Sequence, residues 1–163
     1  MEGVTGEGID LSSLYPGRQF EINTLGYTPI TGYIPPYAEF NDSMWWVVSH
    51  QPEDYDFRRP TGGLNEELFE LVAERLPKKW RKFLYLFIAV GSSFDQYHGI
   101  DAFFYLNGVI VSIDVTTDLS KTGKADFIVT PMNVDPEGGR VSPELADRIA
   151  SQLKRRYELA HLS

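Results

Sequence analysis

Residues 99–116 read Gly-Ile-Asp-Ala-Phe-Phe-Tyr-Leu-Asn-Gly-Val-Ile-Val-Ser-Ile-Asp-Val-Thr, with aromatic and β-branched residues on either side of Asn107-Gly108. Runs of this composition are typical of β-strands. Asn-Gly is the dipeptide that best fits a two-residue type I′ turn, because both central residues of that turn need a positive φ. The stretch therefore predicts a β-hairpin with a fixed register.

The register brings two acidic residues to facing positions. In a hairpin with a two-residue turn, the two residue numbers of every facing pair add up to the same value. Ala102 then faces Ile113. Asp101 likewise faces Asp114. Two carboxylates opposite each other lie about 5 Å apart at Cβ and repel unless a cation or a proton lies between them, and a divalent metal ion would satisfy this need. If the turn is longer, or if both residues lie at frayed strand ends, the two carboxylates are instead separately solvated.

The composition is that of a folded domain. The chain has 163 residues, of which 42% are hydrophobic and 13% aromatic, so that one domain with a proper core is expected. It has no cysteine, which excludes disulfides, thiolate metal sites and a cysteine nucleophile. No secretory signal is recognisable, and the longest apolar run, residues 83–90, is too short to span a bilayer. We therefore expect a cytoplasmic protein without a membrane partner.

The formal net charge of −8 argues against a surface that binds nucleic acid by charge alone. Basic residues nevertheless occur in two clusters, which are Lys78, Lys79, Arg81 and Lys82, and Lys154, Arg155 and Arg156. Each cluster could bind phosphates locally, or could simply form a solvated helix face.

Two parts of different composition divide the chain. Residues 1–43 are rich in Pro, Gly and Tyr and have no sustained hydrophobic period, so we expect an extended arm that lies over the fold or over a neighbouring subunit. Its tyrosines, Tyr27, Tyr33 and Tyr37, could stack on bases or pack on protein. Residues 44–163 are expected to form a single α/β domain.

Periodicity predicts the elements around the hairpin. Residues 64–76 have apolar residues at helical spacing and are expected to form a helix capped by Asn65. Residues 78–90 are also predicted to be helical, although the apolar run from Phe83 would suit a buried strand. Strands are predicted at 44–49 and 125–130, and Ser142-Pro143 predicts the start of a final helix. The expected fold is a mixed β-sheet with the Asn-Gly hairpin at its centre and helices on its sides.

This order of elements resembles the PD-(D/E)XK nuclease superfamily, the restriction-endonuclease-like fold. The resemblance covers about residues 64–131 and rests on a helix, on Gly-Ile-Asp-Ala-Phe-Phe, on Val-Ser-Ile-Asp-Val-Thr, and on a basic connection that leads to another strand. It implies metal-dependent phosphodiester hydrolysis of nucleic acid, by an endonuclease or an exonuclease, with Mg²⁺ or Mn²⁺ as cofactor. DNA is the expected partner in preference to RNA, and a homodimer through the arm is a further hypothesis.

The resemblance also implies site residues. Asp101 and Asp114 would be the two metal-binding acids, and the carbonyl of Val115 would be an additional metal ligand. A helical glutamate sometimes joins the site in this superfamily, and the candidates by location are Glu70 and Glu67.

One position departs from the superfamily pattern. Thr116 occupies the place of the motif lysine and cannot supply a positive charge. Lys124, at the start of the next strand, is the expected substitute, and Lys121 in the connection could reach the same space. The alternative is a catalytically inactive restriction-endonuclease-like protein that binds or assembles through its N-terminal arm.

Two further residues near the hairpin have alternative interpretations. His98 could contact a phosphate or a metal ion, or could hydrogen-bond to backbone at a strand edge. Asp95 could be a further acid of the site or a loop cap.

Overall fold

The computed structural model describes residues 16–26 and 35–162. Its helices are α1 (Pro16–Leu25), α2 (Phe40–Ser49), α3 (Asn65–Glu74), α4 (Ser93–His98) and α5 (Pro143–Ala160), and a 3-10 helix covers Lys78–Phe83. Its strands are β1 (Leu84–Ile88), β2 (Ala102–Leu106), β3 (Val109–Val115), β4 (Phe127–Val129), β5 (Val134–Asp135) and β6 (Arg140–Val141). Within these residues, no helix combines the length and the apolar character needed to cross a membrane.

The central sheet has the order β1-β2-β3-β4, and β5 pairs with β6 in a separate small sheet. The first three strands of the central sheet are antiparallel neighbours, whereas β4 runs parallel to β3. The predicted mixed sheet with a central hairpin is therefore confirmed. Its turn has the expected geometry, because Asn107 has a φ of 44° and Gly108 a φ of 104°.

Helices cover both faces of the central sheet, as expected for an α/β fold. On one face, Phe104 and Val111 pack in a core that includes α3 and α5 residues such as Val72 and Ile149. On the other face, Phe103 packs in a smaller cluster with residues of α2 and α4. The alternation of the two strands thus supplies a core on each side of the sheet.

The prediction of a strand at residues 44–49 is wrong, because they belong to helix α2. The run Met-Trp-Trp-Val-Val has a high strand propensity, but helical spacing lets α2 bury Met44 and Val47 on one side. Trp45 and Trp46 remain about half exposed, at 52% and 49% of their surface. The packing of α2 against the sheet therefore outweighs the strand propensity of this run.

The prediction of one helix over residues 78–90 is also wrong. The chain forms a 3-10 helix over Lys78–Phe83 and then enters strand β1. Three of the five β1 residues, Leu84, Leu86 and Phe87, are at most 2% exposed, and the strand is covered on both faces of the sheet. A strand covered on both faces produces the same continuous apolar run as a buried helix, which explains the ambiguity of the sequence.

The predicted extended arm contains a helix among its described residues. Phe20, Ile22 and Leu25 of α1 are buried, and α1 lies against β3. The other predicted helices are confirmed, with α3 and α5 close to the expected bounds. The prediction that Asn65 caps α3 is wrong, because Leu64 holds the cap position and the Asn65 side-chain amide donates instead to the Leu25 carbonyl at 2.6 Å. Tyr27 and Tyr33, together with residues 1–15, lie outside the described residues.

A close backbone approach holds the end of α1 against the loop before α3. Gly63 has a φ of 55°, and a Cβ at this position would lie 2.8 Å from the amide nitrogen of Gly26 and even closer to the carbonyl of Thr24. The Leu64 amide donates a hydrogen bond to the same carbonyl, at 2.7 Å. The approach therefore fixes the position of α1 on the sheet.

We expect Gly63→Ala to lower the free energy of unfolding by about 3 kcal/mol, because it combines backbone strain with a steric clash. Gly139→Ala is the matched control, since its φ is 68° but a Cβ there would meet no atom within 4 Å. The control should lower the free energy of unfolding by about 1 kcal/mol, because it introduces the backbone strain without the clash. Urea denaturation measures both values, and equal losses would contradict the role of close packing at Gly63.

Candidate functional site

Asp101 and Asp114 lie at the same end of the β2–β3 ladder, but the predicted facing pair of the two acids does not form. The predicted register is confirmed through the pair Ala102 and Ile113, one residue short of the two acids. There the Asp101 amide donates to the Ile113 carbonyl at 2.8 Å, and the Val115 amide donates to Asp101 Oδ2, also at 2.8 Å. The two acids are only 1% and 4% exposed. At the end of the ladder, the Asp101 carboxyl group therefore accepts the hydrogen bond of a backbone amide.

The surroundings of Asp101 are unfavourable for a negative charge. Burial raises the pKa of its carboxyl group well above the usual value, and the charges of Asp95 and Glu21 raise it further. A hydrogen bond with the Asp95 carboxyl group acts in the same direction, and only the bond from the Val115 amide lowers the pKa. Such an accumulation of carboxyl groups in a desolvated position is typical of functional sites.

Lys121 supplies a positive charge at this place. Its Nζ lies 2.7 Å from Asp114 Oδ2, and its side chain is 40% exposed. The pKa of Lys121 is raised mainly by the hydrogen bond with Asp114, against the effect of burial. The charges of Asp101 and Glu21 also raise it, so the ammonium group lies within the field of all three carboxylates.

The loop after β3 turns Lys121 back towards the sheet. The Asp118 amide donates to Thr116 Oγ1 at 3.1 Å, and Asp118 Oδ1 accepts hydrogen bonds from the amide and the hydroxyl of Ser120. The Lys121 amide then donates to the Asp118 carbonyl. Side chains of Thr, Asp and Ser favour such local turns. Thr116 therefore belongs to the turn that positions Lys121.

Three candidate residues of the site lie elsewhere. Lys124 is exposed, and the described structure gives it no ion pair with either acid, whereas Lys121 has one. Glu70 is exposed on α3, a helix that packs against α5 and β6. The helical glutamate that acts on Asp101 is Glu21 of α1, which the sequence analysis missed. Glu67 is exposed on α3 as well.

The remaining candidates divide between the site and the scaffold. Asp95 is half-buried on α4 and accepts a hydrogen bond from the Gly91 amide at 2.8 Å, so it both caps a loop and acts on Asp101. His98 Nε2 lies 2.8 Å from the Ala38 carbonyl oxygen, so this residue hydrogen-bonds to backbone as its structural alternative expects, although at the end of α4 and not at a strand edge. This partner accepts, so Nε2 carries the proton.

Asp126 is a carboxylate with a purely structural environment. It accepts hydrogen bonds from the amide and the hydroxyl of Ser112 and forms a two-pronged pair with Arg156 at 2.7 Å. Burial alone would raise its pKa, but the bonds from Arg156 and Ser112 outweigh burial and lower it. The pair ties α5 to the sheet and provides a comparison for the acids of the site.

The carboxylates could hold a metal ion with few protein ligands. Among the described residues, no three His, Asp or Glu side chains form a ready metal cage. Mg²⁺, however, is usually held by one or two carboxylates and keeps several waters for substrate oxygens to replace. Asp101, Asp114 and the carbonyl of Val115 are oxygen donors of the required type.

Comparison with protein-family models, with curated proteins and with solved structures finds no match for this chain.

Proposed function

We propose that this chain is a divalent-metal-dependent phosphodiesterase of the PD-(D/E)XK type that hydrolyses nucleic acid, with DNA as the preferred substrate. The observation that carries the proposal is the buried pair Asp101 and Asp114 with the Lys121 ammonium group beside it. The resemblance implies the two acids at the end of the hairpin, and Lys121 supplies the positive charge that Thr116 cannot supply.

The architecture supports the proposal at a coarser level. The strands β1, β2 and β3 form an antiparallel meander, and β4 lies parallel to β3 after a basic connection. The hairpin of β2 and β3, followed by a basic connection and another strand, is the part of this order on which the resemblance to the restriction-endonuclease-like fold rests. Asp114 lies in β3 and Asp101 directly precedes β2, and the residues next to both acids are packed in the two cores.

The charges of the site fit Mg²⁺ or Mn²⁺. The Lys121 ammonium group lies in the field of three carboxyl groups, those of Asp101, Asp114 and Glu21, and a fourth carboxyl group, that of Asp95, acts on Asp101. Such an excess of buried negative charge is costly unless a proton or a cation compensates it. Oxygen-only donors favour a hard cation over zinc.

The chain's own residues have distinct tasks in this mechanism. Bound metal would polarise the phosphoryl group and lower the pKa of an attacking water. Asp114 holds the Lys121 ammonium group within 2.7 Å, where its charge can stabilise the negative charge that develops on the phosphate. The Val115 amide orients the Asp101 carboxyl group, and the Asp95 carboxyl group shares a second hydrogen bond with it.

The alternative is a catalytically inactive binding or assembly protein of the same fold. Thr116 at the motif lysine position favours it, and so do exposed aromatic residues in and next to the predicted arm, of which Tyr37 is 59% and Trp45 52% exposed. Under this alternative the arm would contact the partner, including a second copy of the chain.

The proposal is tested by incubating the full chain with single- and double-stranded DNA and RNA, with Mg²⁺, with Mn²⁺ and with EDTA. We expect metal-dependent cleavage, and Lys121→Gln should lower kcat by about 10²- to 10³-fold because it removes the charge that faces the phosphate. Lys124→Gln is the matched control and should stay within about two-fold, since its side chain is solvated.

Two results would contradict the proposal. Absence of cleavage on all four substrates with either metal would favour the binding protein. Equal rates for the two lysine variants would remove Lys121 from the mechanism.

A further inference from the structure

One end of the fold carries a concentration of basic side chains far from the acids. A 3-10 helix has three residues per turn, so residues three apart lie in rows along it. Lys78 and Arg81 form one row, and Lys79 and Lys82 form a second. All four side chains are exposed. The helix therefore presents two parallel basic rows with a spacing of about 6 Å within each row.

The third row anchors this helix to α5. It consists of Trp80 and Phe83, and the Trp80 ring lies 4.3 Å from the ring of Tyr157. Lys154 precedes Tyr157 by three residues and so lies on the same side of α5. Two basic clusters that are about 70 residues apart in sequence thus meet in space. We define the basic patch as Lys78, Lys79, Arg81, Lys82 and Lys154.

The charges of the basic patch are not neutralised within the described part of the chain. None of its five residues forms an ion pair there, although Lys121, Arg140 and Arg156 each do. Arg81 donates to the backbone carbonyl of Glu74 rather than to its carboxylate. On a protein with a net charge of −8, five unpaired cations at one end are complementary to a polyanion.

We propose that the basic patch binds the phosphate backbone of nucleic acid at a distance from the acid pair. The inference rests on the proposed function, because it assigns a second contact to the same substrate. Leu84 follows the 3-10 helix and pairs with Leu106, whereas Asp101 precedes the opposite end of β2. The length of β2 separates the two places by about 17 Å. This distance corresponds to about five base pairs of duplex.

The aromatic row favours nucleic acid over an anionic membrane surface. The Phe83 ring is 38% exposed, and the Lys82 ammonium group lies 5.2 Å from its centre. An exposed ring beside regularly spaced cations can stack on a base while the cations contact phosphates. An anionic membrane surface is attracted by diffuse positive charge, and regular rows of cations do not strengthen this attraction.

The test measures binding without cleavage, in EDTA, by the anisotropy of labelled DNA of about 20 nucleotides, single-stranded and duplex, between about 50 and 200 mM salt. Lys79→Gln/Lys82→Gln should raise the Kd about ten-fold and reduce the slope of log K against log salt by about 1.4 to 1.8. The control Arg140→Gln/Arg148→Gln carries the same charge change on other exposed residues and should bind like the unchanged protein.

Three results would overturn the inference. The first is equal weakening by both double variants, which indicates net charge alone. The second is unchanged DNA binding in Lys79→Gln/Lys82→Gln. The third is binding to vesicles of phosphatidylserine that depends on the basic patch when DNA binding does not. Cleavage assays with Mg²⁺ separate the two proposals, since patch-dependent binding without cleavage would refute only the nuclease activity.

Discussion

Asp114→Asn should lower metal-dependent cleavage by at least about 10³-fold, which corresponds to about 4 kcal/mol of transition-state stabilisation. The substitution removes the proposed carboxylate ligand and also the partner that holds Lys121 at 2.7 Å. Both effects act on the charge that would face the phosphate of the proposed substrate. Mn²⁺ binding, measured by calorimetry without substrate, should weaken at least about ten-fold.

Asp126→Asn is the control for damage to the fold. Asp126 is also a partly buried carboxylate beside β3, but its partners are Arg156 and Ser112. This variant should lose about 1 kcal/mol of stability and keep its cleavage rate per folded molecule. Similar losses of activity in both variants would mean that Asp114 serves the fold alone, and full activity of Asp114→Asn would remove it from the mechanism.

The hairpin was predictable because residues within the hairpin itself determine its structure. Asn107-Gly108 dictates the turn, the turn dictates the register, and the register brings Asp101 and Asp114 to the same end of the ladder. The ladder departs from the prediction only at its last step, where Asp101 uses its side chain to accept the next backbone hydrogen bond.

Glu21 was not predictable, because its position depends on contacts remote in sequence. Helix α1 begins with Pro16-Gly17 and contains Asn23 and Thr24, which have low helix propensity, and it follows a stretch rich in Gly. The helix is located by the approach of Gly63 to its last turn. No pattern within residues 16–25 carries this information.

The choice between Lys121 and Lys124 depended on loop geometry. Both residues were within reach of the acids by sequence distance. The turns made by Thr116 and Asp118 bring Lys121 to Asp114 and leave Lys124 in solvent. The spacing of Thr116, Asp118 and Ser120 was a usable signal, because these residue types favour consecutive side-chain turns.

Asp101→Asn should raise the stability of the metal-free protein at neutral pH, by on the order of 1 kcal/mol or more. The Asp101 carboxyl group has its pKa raised by burial, by Asp95 and by Glu21, so its charged form is disfavoured in the folded state. Asparagine removes the charge, and its side-chain oxygen can still accept the hydrogen bond from the Val115 amide. Denaturation in EDTA at several pH values measures the effect.

The sign of the pH dependence follows from the direction of the shift. Because the folded state binds this proton more tightly, the unfolded chain releases it first as the pH rises from the ordinary pKa of aspartate, about 3.9. The stability of the unchanged protein therefore falls between that pH and the raised pKa, relative to Asp101→Asn. Below about pH 4 both proteins are neutral at this position, and the difference should vanish.

Metal binding should reverse the stability advantage of Asp101→Asn over the unchanged protein. An ion that binds the folded state alone stabilises it by about 2.7 kcal/mol at a concentration of 100 times its Kd, and this gain should disappear in Asp101→Asn. Asp126→Asn should behave in the opposite way, because the lowered pKa of Asp126 stabilises the fold at neutral pH and this contribution is lost on acidification. If Asp101→Asn destabilises the protein at neutral pH, or if Mn²⁺ stabilises it as strongly as the unchanged chain, Asp101 belongs to the scaffold and the nuclease proposal loses one of its two acids.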